Sequence, residues 1–333
     1  VIPVQACIAA AGYDMAPFQD AARKAYSAAG VQWAMPFNVS NPVLYYNKDA
    51  FTKAGLDPNA PPKTWSEFGA ALDALKASGS DCPFTTAWQS WIHLENLSAW
   101  HDVPFATEAN GFEGLGTELA FNGPLQVKHI QQLGDWAKEG KFVYGGRRNE
   151  SGARFNSGEC AILTESSAGY ASIKAKTAFE FGVSNLPYWD DAEGAPQNTI
   201  IGGASLWVLS GHDEAEYQGV GRFFSYLSQP DVQAEWHQQT GYLPITLAAY
   251  DLTKEQGFYE ENPGTETALI QMTAKDPTEN SKGIRLGSFD QIRTVIDEEL
   301  EAVWGGSKTA QAALDSAVER GNVLLRRFER AND

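Results

Sequence analysis

Basic residues are scarce in this chain. Lys and Arg number 25 against 42 Asp and Glu, a formal net charge of -17 over 333 residues. Such a surface repels the phosphates of nucleic acid and an anionic membrane. A small anionic ligand stays open, because the local potential of a pocket can oppose the net charge. Long apolar runs are absent too, none approaching the ~20 residues that span a bilayer. The opening VIPVQACIAAAGYDM lacks an initiator Met and the basic start and apolar block of a signal peptide, so targeting says nothing of compartment. Cys7, Cys82 and Cys160 show no CxxC spacing, and the five histidines are scattered without HExxH, so no metal site is expected. No G-x-S-x-G elbow occurs. GGSKT (305–309) carries Ser307 where a phosphate loop needs Gly, and GVGRFF (219–224) lacks the third glycine of a dinucleotide fingerprint. The chain therefore shows no enzyme motif, and no cofactor is expected.

What is present is apolar content of 43%, enough to fill the cores of two lobes of ordinary domain size. Short β-like runs alternate with helical patterns, which argues for an α/β architecture with largely parallel sheets. PVLYYN (42–47), CPFTTAW (82–88), CAILTE (160–165), FGVSNLPY (181–188) and ASLWVLS (204–210) read as strands. TWSEFGAALDALKASG (64–79) reads as a helix with a Thr N-cap and Phe68, Leu72 and Leu75 at helical spacing. Further helices are predicted in PLQVKHIQQLGDWAKEG, EAEYQGVGRFFSYLS and PDVQAEWHQQTG. SFDQIRTVIDEELEAVW (288–304) opens on a Ser-x-x-Gln capping box and sets Phe289, Ile292, Ile296 and Val303 on one face. The stretches 57–63, 189–198 and 275–283 read as loops or lobe connections. If the strands opened by Cys82 and Cys160 are neighbours, one disulfide can join them; otherwise they are two buried thiols.

A few residues stand out as candidates for binding. Gly202 and Gly203 interrupt an apolar run, where glycine weakens a strand. Either a bulge or lobe crossing needs them there, or a ligand lies against the backbone. Trp65 and Tyr242 follow a loop or a helix stop, where side chains often face a cleft, whereas most of the other aromatics belong to cores. Arg293 projects along the edge of an apolar stripe. It either pairs with Asp297 at i,i+4 or aims a guanidinium fork at a phosphate or carboxylate. Ser166 and Ser167 sit at a strand-to-helix turn, where capping the helix and binding an anion are compatible.

LYYNKDAFTKAGLDPNAPPKTWSEF (44–68), GECAILTESS (158–167) and PDVQAEWHQQTGYLPIT (230–246) together resemble the solute-binding components of carbohydrate-type ABC importers. PFNVSNPVLYYNKDAF, APQNTIIGGASLWV, LTKEQGFYEENPG and the block from RLGSFDQIR to LLRRFE resemble the sn-glycerol-3-phosphate-binding group within that family. The likeness runs over nearly the whole chain, more loosely over the first 35 residues. It implies a two-lobe, clamshell, type II periplasmic-binding-protein fold of α/β class, with residues 1–42 and about 205–282 in an N-terminal lobe and about 43–204 and 283–333 in a C-terminal lobe. The family's first βαβ, which contributes a Tyr and a Glu to the glycerol side of the site, is expected to precede this chain's first residue.

The resemblance further implies capture of sn-glycerol-3-phosphate or a glycerophosphodiester such as glycerophosphocholine, in the periplasm, by a monomer that hands its ligand to a membrane permease. Carried over by motif, the ligand-binding residues are Ser40 in PFNVS, Trp65 in PPKTW, Ser166 in TESS, Gly203 in IIGGAS, Tyr242 in TGYLP and Arg293 in QIR. Arg293, Ser166, Ser40 and the Gly203 amide would hold phosphate, while Trp65 and Tyr242 cover the carbon skeleton. Two other readings stand beside this one. In an oligosaccharide- or polyol-binding protein of the same fold, Trp65 and Tyr242 would stack on sugar faces. A secreted carbohydrate-active enzyme would need paired carboxylates across a cleft.

Overall fold

Apolar and aromatic side chains follow one another in PVLYYN, and the strand they form, Pro42–Asn47, is buried along its whole length. A run without polar alternation suits a strand covered on both faces. In the computed structural model, which describes residues 1–10, 26–28 and 30–332, this strand belongs to a four-stranded sheet. Its neighbours stand in the order Cys82–Thr86, Cys160–Ser166, Pro42–Asn47, Phe181–Ser184. Cys82–Thr86 and Cys160–Ser166 run parallel with Cys82 opposite Cys160, which answers the open question about the thiols. The two form a disulfide across a sequence separation of 78, while Cys7 is free and buried.

The expectation of largely parallel sheets is corrected. Phe181–Ser184 pairs antiparallel with Pro42–Asn47, and Gly202–Trp207 pairs antiparallel with Ala34–Ser40. Helix-strand alternation fixes strand direction only where one helix carries the chain between neighbours in a sheet. These partners are far apart in sequence, so alternation left their direction free.

The chain forms two units. The first comprises Val1–Asn41, Ser166–Ala175 and Ile201–Met272, the second Pro42–Glu165, Lys176–Ile200 and Thr273–Asp333. Residues 166–175 and 201–204 thus stand with the first unit, and Pro42 and 273–282 with the second, where the sequence reading set them in the other lobe. The stretch 11–25 of the expected N-terminal lobe lies outside the described residues.

The first unit is built on the two-stranded ribbon of Ala34–Ser40 and Gly202–Trp207, whose register shifts at Phe37 to make a bulge. Glu214–Leu227 starts from a capping box in which Asp213 and Glu216 satisfy each other's backbone amides. Pro230–Thr240 begins on Pro, whose fixed φ suits the first turn, and stops at Gly241 in the left-handed region. Trp207, Leu209, Phe223 and Tyr226 stay exposed on this unit.

In the second unit Trp65–Ala77 starts on the expected Thr N-cap and completes it as a box: Thr64 Oγ1 accepts from Glu67 N, and Glu67 Oε2 accepts from Thr64 N. Its Phe68, Leu72 and Leu75 join Phe84, Ile130 and Leu133 in one core. Phe289–Trp304 buries Ile292, Ile296 and Val303 as its spacing predicts, and Leu300 with them, while Phe289 packs half-buried against the same core. The box expected at its start does not form. Gly287 lies so close to the Phe328 ring that a Cβ would stand 2.2 Å from it. The next residue, Ser288, sits at φ 54° with no side-chain cap, so this tertiary approach sets the helix entry in place of the local signal. Among the described residues no helix is long and apolar enough to cross a membrane.

Candidate functional site

Four of the six expected ligand residues lie in the first unit, and backbone hydrogen bonds gather them at one end of its ribbon. Ser40 stands opposite Gly202, and Val39 opposite Gly203. The Val39 carbonyl also accepts from Leu243 N at 2.7 Å, which brings the turn carrying Tyr242 onto the same strand. One residue past Ser40, the Asn41 carbonyl accepts from Ser167 N at 2.8 Å, and Asn41 N donates to Ser167 Oγ at 3.3 Å. The Ser166 turn is therefore fixed beside Ser40. Gly241, at φ 85°, completes the cluster: a Cβ there would stand 2.8 Å from the Ser167 carbonyl.

Local chemistry accounts for each piece. Ser166 Oγ accepts from Ala168 N at 3.2 Å and caps the single turn Ser167–Gly169 that leads into Tyr170–Lys176, the capping read from sequence. The half-buried Tyr242 is held through its backbone, whose carbonyl accepts from His237 Nδ1 at 2.6 Å. Burial depresses the His237 pKa, so the ring is neutral and Nδ1 carries the proton. Gly203, at φ 120°, is needed for a reason nearer than any ligand. A Cβ there would stand 2.0 Å from the Asn38 carbonyl oxygen, so the missing side chain lets the two strands approach beside the bulge. Of the two sequence readings, the bulge explains the glycine. The residue itself remains exposed.

The other two residues belong to the second unit, and both depart from expectation. The Trp65 ring does not face a cleft but is wedged among aromatics, with centroids 4.6 Å from His129, 5.1 Å from Phe68 and 6.4 Å from both Trp136 and Trp189. Its Nε1–H is buried without a hydrogen-bond partner among the described residues. Arg293 is neither paired with Asp297 nor an open fork. Its Nε donates to Glu95 Oε1 at 2.7 Å and its Nη2 to Glu95 Oε2 at 2.6 Å. Its guanidinium also lies 4.4 Å over the Phe289 ring. The Glu95 side chain is 1% exposed and that of Arg293 38%.

Arg293, Asp297 and Glu301 recur every four residues along Phe289–Trp304, and each takes a partner from another part of the second unit. Asp297 Oδ1 accepts from Gln89 Nε2 at 3.2 Å. Glu301 accepts from Arg147 Nε and Nη2, at 2.8 and 2.6 Å, and from the Tyr144 hydroxyl at 2.8 Å. Burial raises the Asp297 carboxyl to about 6, whereas hydrogen bonding from Arg147 holds Glu301 below the usual range. Sequence reasoning missed Glu95. Its one signal is a lone carboxylate in the apolar run WIHLENLSAW, where a buried charge demands a partner.

The scattered histidines also meet. Trp189 Nε1 donates to His129 Nδ1 at 3.3 Å, so His129 Nε2–H donates to His93 Nδ1 at 3.0 Å and His93 Nε2–H to Thr86 Oγ1 at 2.9 Å. Burial drives His93 down to about 3, His101 to about 4 and His129 well below its ordinary value. These rings are neutral core groups. Among the described residues no cluster of His, Cys, Asp or Glu could hold a metal ion.

Comparison with known proteins adds to this picture. A family model described as bacterial extracellular solute-binding protein matches residues 5–267. The sn-glycerol-3-phosphate-binding periplasmic protein UgpB of Yersinia pseudotuberculosis is 59% identical over 299 residues, which are 90% of this chain and 68% of that one. The protein of the same name from Escherichia coli is 57% identical over 298 residues, again 90% and 68%. Among solved structures, UgpB from Mycobacterium tuberculosis in complex with glycerophosphocholine matches with a TM-score of 0.82 at 22% identity, over 98% of this chain and 79% of that one. A maltose-bound protein of T. maritima matches with a TM-score of 0.75 at 18% identity, over 97% and 80%. The fold is that of solute-binding proteins.

Proposed function

The chain belongs to the bacterial extracellular solute-binding protein family, and on that premise we propose that it captures sn-glycerol-3-phosphate or a glycerophosphodiester in the periplasm and passes it unaltered to the permease of an ABC importer. The observation that carries this reading is the gathering of Ser40, Ser166, Gly203 and Tyr242 at one end of the first unit's ribbon. Hydroxyls beside a glycine-bearing strand and a turn are the neutral donor set that holds a phosphoryl group without adding charge to the protein. The names of the relatives at 57–59% identity point to the same ligand. The disulfide agrees with an oxidising compartment such as the periplasm.

Calorimetric titration with glycerol-3-phosphate, glycerophosphocholine and maltose side by side tests the proposal. Saturable binding of the two phosphate esters and none of maltose is the expected result, with the esters recovered chemically intact after long incubation. Binding of maltose alone would replace phosphate capture with sugar capture, and release of choline or inorganic phosphate would make the protein an enzyme.

A further inference from the structure

The turn that carries Tyr242 depends on one buried side chain. His237 lies in the last turn of Pro230–Thr240, and it holds the chain beyond the helix twice. Its carbonyl accepts from Gly241 N at 2.8 Å, and its Nδ1–H donates to the Tyr242 carbonyl at 2.6 Å. Across the same peptide link, Leu243 N donates to the Val39 carbonyl at 2.7 Å. Both polar atoms of the 242–243 peptide are thereby engaged, the oxygen by the helix and the N–H by the ribbon. The link before it is held as well, since Tyr242 N donates to Thr240 Oγ1 at 3.2 Å. A peptide group is planar, so fixing the planes on both sides of Tyr242 fixes its φ and ψ, and with them the direction in which the side chain leaves the backbone.

Stability does not account for a histidine here. The ring packs against those of Phe258 and Tyr259, with centroids 5.5 and 5.6 Å away, and its Nε2 is buried with no hydrogen-bond partner among the described residues. An unmatched buried acceptor is a cost that a leucine beside the same rings would not carry. What the histidine supplies and a leucine cannot is the Nδ1–H.

We propose that His237 is a positioning residue for ligand capture: through the bond from its Nδ1–H to the Tyr242 carbonyl, it sets the Tyr242 side chain in the orientation that meets the phosphate ester. This rests on the reading that Tyr242 contacts the ligand at the ribbon end of the first unit.

Leucine and asparagine provide the test, because they share a shape and differ in the donor. Asparagine carries its amide nitrogen on Cγ, where histidine carries Nδ1, and so keeps the bond to Tyr242. Both leave the same space where the imidazole stood, so a role in packing alone predicts the same loss in each. His237→Leu should weaken sn-glycerol-3-phosphate binding, measured by calorimetry, roughly tenfold, the worth of one hydrogen bond, whereas His237→Asn should recover it to within about threefold of the wild type. Exchange of the Leu243 amide should quicken in the first variant and not in the second. Equal affinities in the folded leucine and asparagine variants overturn the proposal. Should His237→Leu not fold, His237→Gln takes its place, since its amide nitrogen lies one bond further out, away from the Tyr242 carbonyl; binding as tight as in His237→Asn then overturns the proposal. Tyr242→Ala separates the two levels of the argument. If it leaves the affinity at the wild-type value, Tyr242 does not contact the ligand and His237 falls with it. If it weakens binding and His237→Leu weakens the Tyr242→Ala protein by the same factor as the wild type, Tyr242 stands as a ligand residue and the role given to His237 fails.

Discussion

The two units handle their polar groups in opposite ways. In the first, the candidate ligand residues are placed mostly by backbone: a strand end, a left-handed glycine at 203, a single helical turn after Ser166 and a turn that follows the helix stop at Gly241. The scaffold beneath them is a two-stranded ribbon, with large apolar side chains still exposed around it. In the second unit the polar side chains are already engaged with one another. Arg293 holds Glu95, Glu301 holds Arg147, and three histidines are locked neutral in a core crossed by a disulfide. The candidate ligand groups of the first unit lie where its backbone bends, whereas the second unit's charged side chains are paired and packed.

If that contrast is right, damage should stay in the unit where it is inflicted. Removing the disulfide with Cys82→Ala and Cys160→Ala together should cost the second unit about 4 kcal/mol, the loop-closure entropy of a 78-residue span. Urea unfolding should show this as a lowered transition, with exchange of the 34–40 and 202–207 amides unchanged. Gly203→Val should cost the first unit about 3 kcal/mol, since the new side chain meets the Asn38 carbonyl and the residue must hold a φ of 120°. Fast exchange at 34–40 and 202–207 with 82–86 and 160–166 still protected is the expected pattern. Equal loosening of both sheets would erase the distinction between the units.

Acid should act most on the second unit, which holds three of the four histidines whose pKa burial lowers. Burial holds His93 at about 3, His101 at about 4 and His129 well below the unfolded value of 6.5, so their contribution is complete above about pH 6.5 and is lost progressively as pH falls below it. Each histidine costs about 1.4 kcal/mol per pH unit in that window, or roughly 2 kcal/mol at about pH 5. Asp297, raised to about 6, works in the opposite direction over part of the same range, but it is one group against three. Melting temperatures that stay flat from about pH 7 to about pH 5 would contradict the neutral-core assignment. The smallest effect is expected for Asp297→Asn. It keeps an acceptor for Gln89 and removes a carboxylate that burial disfavours, so stability near pH 7 should change by under about 1 kcal/mol, toward greater stability.

The sequence was most readable where signals were local. The Thr64 N-cap, the prolines that open Pro124–Lys138 and Pro230–Thr240, and the Gly241 stop each act within one or two turns, and each helix lies where such signals put it. Strand Ala34–Ser40 escaped because Pro36 and the polar Asn38 break its alternation, and its pairing depends on a bulge that no period reports. The disulfide could be posed but not decided, since it hangs on the register of two distant strands. Arg293 was singled out correctly as a cation needing a partner. That partner, Glu95, lies 198 residues away in sequence, whereas helical spacing could offer only local carboxylates such as Asp297. Ser288 shows the converse case, a sound local box overridden by the packing of Gly287 against Phe328.

The central claim is that the first unit's ribbon end is where phosphate is held. Hydrogen exchange of the protein with and without saturating sn-glycerol-3-phosphate tests it most directly. The account predicts slowed exchange at the amides of 39–41, 167–169, 202–204 and 241–243, with smaller changes elsewhere in the first unit. Calorimetric binding of the ligand with no slowing in any of these four segments would contradict it.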